Sequence, residues 1–523
     1  MSTARIVSSH TTQTRKQTRN YVLRILEGLE RDPTRIAVHS WAGDLTAAEF
    51  RGTIAGAARA LACAGTGPGD TVAVLTEPNC AVLLAARYAA HLLGATVIHI
   101  RSMNARSDAE ALPAAEQERL LRATGARVLV VDGPNAPCGR ALCGNREGTT
   151  LLTLAGDDLA DVTGDLPPAA SHMPQEVAVL DLTSGSTGRP KLVRRSFAVR
   201  DRLIDLSFGA LPPEHRPTLL SVTPVCHTTA TMADATLTAG GTVILHNGFR
   251  TDDVLRALTE QQVTDVYLAV PHLYQLISRP GIDEAAFPAL RQVLYSGTAA
   301  APSRVAQAAR VFGNSLVQLY GSTEAGGICT LTPLDHCEPE LLSSVGRPFP
   351  WVEVEIRRPD SGAVVERGET GEIWVRSPTV MDGYAGEEEP VAPVLREGWL
   401  QTGDLGHWDK YGYLHLMGRV GDVIKAKGIK IHPSSVEDAL LRHPDVANAV
   451  VYGIRDTAYV EHVAAAVQPR TGAHCTDSDL RTHVAATLSA AHVPEEISWW
   501  AEIPLHPSGK PDFALLRGRK GAQ

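Results

Sequence analysis

Short β-branched segments alternate with longer Ala/Leu-rich segments along most of the chain, and this alternation restricts the folds that it can adopt. Residues Thr71–Leu75 are typical of a strand, Ala81–Leu93 of a helix, Ala95–Ile100 of a second strand, and Asp265–Val270 of a later strand. Helical segments that separate buried strands are typical of parallel sheets covered by helices. The pattern predicts an α/β protein whose large N-terminal domain contains parallel or mixed sheets.

Two changes in pattern divide the rest of the chain. From about Val352, strand-like runs are separated by Gly, Pro and Asp turns, which predicts a β-rich subdomain. After Gly418 the segments indicate a compact α+β unit, with helices predicted over Ser434–Arg442 and Asp477–Ala491. A chain of 523 residues is too long for one core. We therefore expect a disordered tail over residues 1–20, an N-terminal domain over 21–420 and a small, mobile C-terminal lid domain over 421–523.

Charge and hydropathy exclude several classes of protein. The net charge is −9 and no long Lys/Arg run occurs, which argues against a nucleic-acid partner. The most apolar stretch, Ala81–Ile100, contains Arg87, His91 and His99, so that a membrane span would be costly and no membrane partner is expected. The N-terminus does not have the pattern of a signal peptide, and the eight cysteines are scattered, as in a reduced cytoplasmic protein.

A Gly/Ser/Thr-rich loop follows the apolar run Val177–Leu182. Glycine permits close backbone approach, and N–H groups and hydroxyls can then bind phosphate. The other interpretation is a polar surface turn, which the specific string disfavours. The candidate phosphate-binding residues are Thr183, Ser184, Gly185, Ser186, Thr187, Gly188 and Lys191.

Two carboxylates follow other strand-like runs. Tyr320-Gly-Ser-Thr-Glu324 places hydroxyls and a carboxylate at the end of a strand, where open α/β sheets bind ligands. Glu324 offers the hard oxygen atoms that Mg²⁺ prefers, although the segment alone could equally be a helix-capping turn. Asp404, in Thr402-Gly-Asp, could accept hydrogen bonds from ribose hydroxyls or could be a simple turn residue.

Two basic, Gly-rich segments lie near the C-terminus. The first is Gly418–Gly428, which contains Arg419 and would by itself be a solvated linker. The second is Pro504–Lys510, whose lysine would usually be solvated as well.

Together, the order and spacing of these five segments resemble the core motifs of the adenylate-forming superfamily, which contains acyl-CoA synthetases, adenylation domains and firefly luciferase. The resemblance spans Ala37 to Asp512. It implies that ATP and Mg²⁺ are bound and that an acid attacks the α-phosphorus, so that an acyl adenylate and pyrophosphate form.

The resemblance also implies individual roles. The loop from Thr183 to Lys191 would cover the ATP phosphates, Glu324 would bind Mg²⁺, and Thr323 would contact phosphate. Lys510 would bridge the carboxylate and α-phosphate oxygens, where a point charge stabilises the developing negative charge. The remaining nucleotide contacts are adenine and ribose contacts, expected at Gly297, Thr298, Ala299, Tyr320, Gly321, Asp404 and Arg419.

The acid pocket is expected to be lined by a mixed set of residues, which are His227, Thr228, Val270 and Ser296. His227 would lie at its mouth. Relatives that activate α-amino acids have an Asp in the position of Thr228, which pairs with the substrate ammonium. Thr228 therefore indicates an acid without that group.

The C-terminal unit resembles a lid that rotates between two half-reactions. The acceptor of the acyl group is expected to be the thiol of coenzyme A or of a carrier protein acting in trans. Relatives usually carry Asp or Lys at the hinge, where this chain has Gly421. Glycine permits the backbone rotation but removes a charged side chain, which puts the second half-reaction in doubt.

Two other functions stay open at this point. The acid could be nitrite, activated for ATP-dependent diazotisation of an aryl amine, since Gly421 and Thr228 are compatible with it. The chain could instead be a non-catalytic nucleotide-binding relative. A nicotinamide dehydrogenase is disfavoured because no Gly-x-Gly-x-x-Gly turn follows the early strands.

Overall fold

The computed structural model describes residues 20–101, 112–144, 148–154, 166–170, 174–183, 191–208, 216–226, 228–386, 394–426, 429–456, 460–504 and 511–518. Of the predicted tail, residues 1–19 lie outside these ranges, whereas Asn20 is buried and its side chain accepts a hydrogen bond from the Val22 amide at the start of the first helix. The helices are α1 (Tyr21–Glu30), α2 (Ala47–Cys63), α3 (Ala81–Leu92), α4 (Ala114–Thr124), α5 (Ala136–Gly144), α6 (Phe197–Phe208), α7 (Thr228–Thr238), α8 (Thr251–Glu260), α9 (Val270–Ile277), α10 (Pro302–Phe312), α11 (Pro433–Leu441), α12 (Asp477–Thr487) and α13 (Phe513–Gly518).

The strands are short and are distributed over the whole chain. They are β1 (Ile36–Ser40), β2 (Gly43–Thr46), β3 (Thr71–Leu75), β4 (Thr96–His99), β5 (Val128–Val131), β6 (Thr150–Thr153), β7 (Val177–Thr183), β8 (Lys191–Ser196), β9 (Thr218–Ser221), β10 (Thr242–Leu245), β11 (Asp265–Ala269), β12 (Gln292–Ser296), β13 (Leu316–Ser322), β14 (Gly326–Leu331), β15 (Arg347–Pro348), β16 (Glu353–Arg357), β17 (Gly371–Arg376), β18 (Tyr384–Ala385), β19 (Leu395–Arg396), β20 (Trp399–Trp408), β21 (Leu414–Arg419), β22 (Ile424–Ala426), β23 (Ile429–Ile431), β24 (Val446–Arg455), β25 (Glu461–Pro469) and β26 (Glu496–Trp499).

Local sequence explains where several elements begin. Helix α2 starts with a capping box, in which the Thr46 hydroxyl accepts from the Glu49 amide and the Glu49 carboxylate accepts from the Thr46 amide. Helix α9 has a proline in its first turn, where the missing N–H costs nothing. Strand β11 therefore ends at Ala269, and Val270, which the sequence suggested as strand, begins the helix.

Two mixed sheets form the body of the N-terminal part. Among the described residues, one sheet has nine strands in the order β15-β14-β13-β12-β11-β9-β10-β1-β2, and the other has seven in the order β18-β8-β7-β4-β3-β5-β6. The inner strands of each are parallel, and antiparallel strands lie at both edges of the nine-stranded sheet and at the β18–β8 edge of the seven-stranded sheet. Helices connect the parallel strands, as the alternating pattern predicted.

The principal core lies between these two sheets. It combines residues of α1, α2, α3 and α7 with residues of β1, β3, β4 and β9, and the largest side chains in it include Tyr21, Phe50 and Tyr88. A second cluster packs α8, α9 and α10 on the other face of the nine-stranded sheet. A third packs α4 and α5 on the seven-stranded sheet. Helices therefore cover both faces of both sheets.

Strands β16, β17, β19, β20 and β21 form a separate antiparallel sheet of five strands within the described residues. The following unit contains the β22–β23 hairpin and the sheet β24-β25-β26, with a core that includes Val436, Val451 and Leu480. The predicted fold class is thereby confirmed. None of the helices in the described parts of the chain is both long and apolar enough to cross a membrane.

Candidate active site

The carboxyl ends of neighbouring parallel strands bring several of the predicted site residues to one edge of the nine-stranded sheet. Strands β9, β11, β12 and β13 are adjacent in this sheet and parallel. Ser296 is the last residue of β12, and Tyr320 and Gly321 lie close to the end of β13. Thr228 and Val270 are the first residues of the helices that follow β9 and β11. Open α/β sheets bind ligands at this edge.

Tyr320, Asp404 and Arg419 form a hydrogen-bonded row. The Tyr320 hydroxyl donates to Asp404 Oδ2 at 2.8 Å, and Arg419 Nε donates to Asp404 Oδ1 at 3.1 Å. Asp404 and Arg419 are paired residues of strands β20 and β21, so the two charges are held together by the sheet register. The nine-stranded sheet and the five-stranded sheet thus meet at this carboxylate.

The pKa values of these groups follow from their surroundings. Burial, together with the Asp404 carboxylate, raises the pKa of Tyr320, so its hydroxyl stays protonated and donates. Burial alone would lower the pKa of Arg419, but Asp404, Asp422 and Glu324 raise it above its ordinary value. Arg419 is therefore a permanent cation between the predicted ribose and metal carboxylates.

Glu324 lies close to the strand that follows the predicted phosphate-binding loop. The Tyr384 hydroxyl donates to Glu324 Oε1 at 3.0 Å, and Lys191 Nζ lies 5.3 Å from the centre of the Tyr384 ring. Burial and Glu324 both raise the pKa of Tyr384, so this hydroxyl is also a donor. Lys191 pairs with Thr183 across the β7–β8 hairpin, at the base of the predicted phosphate loop. Tyr384 therefore lies between this base and Glu324, the predicted metal ligand.

The backbone of the Thr323–Glu324 segment is fixed by two neighbours. The Arg195 guanidinium donates to the Thr323 carbonyl and, through Nε, to Asp181 Oδ2 at 2.9 Å. The Met381 amide donates to the Glu324 carbonyl at 2.8 Å. The Ser322 hydroxyl accepts from the Ala325 amide at 3.1 Å, so this part of the segment caps a turn rather than a helix.

Three hydroxyls meet where the acid pocket was predicted. The Tyr267 hydroxyl lies 2.9 Å from Ser296 Oγ and also bonds the Thr228 side chain. Gly297, the next residue, has a φ of +105°, and an added Cβ would lie 4.0 Å from the Tyr267 hydroxyl. Val270 is buried, Gly297 and Ala299 are exposed, and Thr298 is half-buried. Sequence reasoning missed Tyr267, since it is one of several aromatic residues in strands.

The backbone of Val225, two residues before His227, is held on both sides. Its amide donates to the buried Asn79 side chain at 3.0 Å, and its carbonyl accepts from Arg87. Arg87 also pairs with Asp234 at 2.6 Å, and both side chains are almost completely buried. Burial would raise the pKa of Asp234, but Arg200 and Arg87 hold it below its ordinary value, so that it remains a carboxylate.

Some predicted residues lie outside the described residues, so their geometry carries no statement. They are Ser184, Gly185, Ser186, Thr187, Gly188, His227 and Lys510. The predicted hinge, Gly421, is exposed in the turn between β21 and β22, and nothing lies within 4 Å of the position that a Cβ would take. The Ser434 hydroxyl, at the start of α11, donates to the Met417 carbonyl at 3.2 Å and joins the C-terminal unit to β21.

Family models match two parts of the chain. Residues 26–385 match the AMP-binding enzyme family, and residues 435–510 match the AMP-binding enzyme C-terminal domain. The first match alone covers more than half of the chain and contains the phosphate loop, the predicted pocket residues and Glu324.

Characterised proteins align over almost the full length. A feruloyl-CoA synthase from an Amycolatopsis species is 34% identical over 491 residues, which are 93% of this chain and 95% of the relative. An indoleacetate–CoA ligase from Aromatoleum aromaticum is 30% identical over 92% of this chain and 94% of its own. The structure of the amide bond synthetase McbA from Marinactinospora thermotolerans is 36% identical with a TM-score of 0.85, over 95% of this chain and 98% of that one. The chain therefore belongs to the AMP-binding enzyme family and is an AMP-forming ligase, which activates an acid as its adenylate and transfers it to a nucleophile.

Proposed function

We propose that the acid is an aromatic carboxylic acid and that the acceptor is the thiol of coenzyme A. The observation that carries the proposal is the arrangement at the carboxyl edge of the nine-stranded sheet. There the hydrogen-bonded row of Tyr320, Asp404 and Arg419, which offers groups suited to the ribose of a nucleotide, lies beside the hydroxyls of Tyr267 and Ser296. A site that combines the buried Val270 and the Tyr267 ring with a few hydroxyls suits an aromatic acid. The feruloyl and indoleacetate ligases, by their names, act on acids of this kind.

The described carboxylates have the capacity that nucleotide binding requires. Asp404 accepts from Tyr320 at Oδ2 and from Arg419 at Oδ1, and a carboxylate has about four acceptor positions, so we propose that ribose hydroxyls of ATP also donate to this carboxylate. Glu324, half-buried beside Tyr384, offers the hard oxygen atoms that Mg²⁺ prefers, and the ion would supply charge stabilisation at the phosphates.

The positive groups would act on the phosphates. Lys191 lies at the end of the predicted phosphate loop, and Lys510 is proposed to contact the oxygens at which negative charge develops when the carboxylate attacks. Arg419, whose charge is secured by Asp404 and Asp422, would hold the ribose side of ATP. These groups bind and orient ATP and stabilise charge, and the acid itself is the nucleophile.

The test is the release of AMP and pyrophosphate from ATP with a panel of aryl and alkyl carboxylic acids, each with and without coenzyme A. We expect AMP with an aromatic acid and acyl-CoA when the thiol is present. Nitrite with aryl amines, and a phosphopantetheinylated carrier protein, are included as separate arms. Formation of AMP with nitrite but with no carboxylate would contradict the proposal.

An amine is the second candidate acceptor. Two observations favour it: the similarity to an amide bond synthetase, and Gly421 at the position where thioester-forming relatives carry a charged hinge residue. The same assay with alkyl and aryl amines in place of coenzyme A separates the two acceptors. Amide formation faster than thioester formation at equal acceptor concentration would replace coenzyme A by an amine.

A further inference from the structure

The segment Thr379–Tyr384 joins the return strand of the phosphate loop to the predicted metal carboxylate. On one side, the Asp382 amide donates to the Arg194 carbonyl at 2.9 Å, and Tyr384 pairs with Val193 of β8. On the other side, the Met381 amide donates to the Glu324 carbonyl at 2.8 Å. The segment is therefore held by the backbone to both parts of the site.

Tyr384 is the side chain of this segment that contacts both functional groups. Its hydroxyl donates to Glu324 Oε1 at 3.0 Å, and its ring faces Lys191 Nζ at 5.3 Å. A tyrosine side chain has only two torsions before its rigid ring. Because strand β18 holds the backbone of Tyr384, the position of its hydroxyl is restricted as well. The backbone of Glu324 is already held by the Met381 amide, so the torsions of its side chain are what the Tyr384 hydrogen bond restricts.

We propose that Tyr384 is a positioning residue, which holds the Glu324 carboxylate in place for the metal of the metal–ATP complex while its ring orients the Lys191 ammonium. The inference rests on the proposed role of Glu324 as a metal ligand. A hydrogen bond to Oε1 selects one orientation of the carboxylate, in which Oε2 would remain available to hold the ion. Side chains that orient metal ligands in this way typically change metal affinity by about 10–100-fold when they are removed.

The first variant is Tyr384→Phe, which keeps the ring and removes the hydroxyl. Mn²⁺ is used as the probe in place of Mg²⁺, and its binding to the full-length protein with a non-hydrolysable ATP analogue is measured by electron paramagnetic resonance. We expect Mn²⁺ affinity to fall about ten-fold. Binding of the ATP analogue without metal should be unchanged, because the ring that faces Lys191 is still present.

A second variant, Tyr384→Leu, removes the ring as well. Loss of the ring should weaken metal-free binding of the ATP analogue by roughly three-fold beyond the effect of the phenylalanine variant. Tyr295→Phe is the matched control, since the buried Tyr295 lies on β12 of the nine-stranded sheet and its hydroxyl bonds Gln318 and His336 instead. This control should leave Mn²⁺ affinity unchanged.

A double-mutant cycle with Glu324→Gln separates positioning from a general structural effect. If Tyr384 acts through Glu324, the Phe variant should have no further effect on Mn²⁺ affinity in the Gln background. An unchanged Mn²⁺ affinity in Tyr384→Phe, or an equal loss in both backgrounds, would overturn the inference while the proposed function stands. The wild-type protein is also compared with and without metal. If its affinity for the ATP analogue were the same in both cases, the proposed role of Glu324 as a metal ligand would be wrong, and the inference would fail with it.

Discussion

At the scale of single residues, the predicted metal ligand Glu324 and the carbonyl of Thr323 before it are held by side chains from distant parts of the chain. Tyr320, Glu324 and Asp404 stand in short strings that can be read locally. Tyr384 reaches Glu324 across 60 residues of sequence, and Arg195 reaches the Thr323 carbonyl across 128. A single tyrosine or arginine in a strand carries no local signal of such a contact. The partners that hold functional groups in place therefore became visible only in the folded chain.

Lys510→Ala is expected to abolish AMP formation, by more than about a hundred-fold, because the cation proposed for the α-phosphate oxygens is removed where charge develops. Folding and ATP binding should be largely unchanged. The measurement is pyrophosphate release with the best acid of the panel, together with thermal unfolding. Lys410→Ala, at an exposed turn position, is the control, and wild-type rates in the Lys510 variant would refute the assignment.

At the scale of elements, periodicity predicted most strands and helices within a few residues. The strand Thr71–Leu75 has the predicted bounds, and the helix predicted over Ser434–Arg442 runs from Pro433 to Leu441. The helix predicted over Asp477–Ala491 ends at Thr487. Pairing was not predictable: β18, two residues long, belongs to the seven-stranded sheet, although its neighbours in sequence, β17 and β19, belong to another. Sheet membership depends on long-range contacts that a local pattern does not contain.

The β13–β14 hairpin, which leads to Glu324, requires a glycine at position 321. A Cβ there would lie 2.2 Å from the Gly326 carbonyl oxygen. We expect Gly321→Ala to lower the free energy of unfolding by about 2 kcal/mol and to reduce AMP formation, because the strands must separate. Urea denaturation measures the first effect. Gly52→Ala is the control, since nothing lies within 4 Å of its added Cβ and alanine favours helix α2.

The contact between α1 and α3 should depend on pH. His91 accepts from the Tyr21 hydroxyl at 2.6 Å through Nδ1, and its Nε2 donates to the Ala178 carbonyl at 2.8 Å, which requires the neutral ring. Burial, with the charges of Arg200 and Arg87, lowers the pKa of His91 to about 3. The unfolded chain, with a histidine pKa near its ordinary value, binds a proton that the folded chain does not.

The free energy of unfolding should therefore fall as the pH decreases from the ordinary histidine pKa towards 3. For this group the loss is about 2 kcal/mol between roughly pH 7.5 and pH 5. Urea denaturation across this range measures it. His91→Gln, whose amide can make both hydrogen bonds without titrating, should lack this component, whereas the exposed His474→Gln should retain it. Parallel pH profiles for wild type and His91→Gln would contradict the assignment.

At the scale of the whole molecule, the chain length and the change of segment pattern after Gly418 predicted a large N-terminal part and a small C-terminal unit. The predicted boundary between residues 420 and 421 stays a prediction. It lies in the turn after β21, close to the contact of Ser434 with Met417. The orientation of the C-terminal unit could not be predicted from the sequence pattern, because it depends on a few contacts across the joint, such as that of Ser434 with Met417.

Gly421→Pro tests the proposed hinge. Proline restricts the backbone at the joint, so we expect the second half-reaction to slow by about ten-fold or more while adenylation is largely kept. The measurement compares the rate of pyrophosphate release in the absence of acceptor with the rate of acyl transfer. Gly421→Ala, for which the structure has space, is the control. Equal losses in both half-reactions would place the hinge elsewhere.

The position of β1 in the nine-stranded sheet has a consequence for biosynthesis. Strand β1 forms a hairpin with β2 at once, but its parallel partner is β10, which begins at Thr242. At a translation rate of roughly 5–20 residues per second, about 200 further residues take about 10–40 s to leave the ribosome. Throughout that interval the newly made hairpin has an unpaired edge, which other nascent chains can bind. In each round of translation there is therefore a period in which the unpaired edge of the β1–β2 hairpin is a site for chaperone binding.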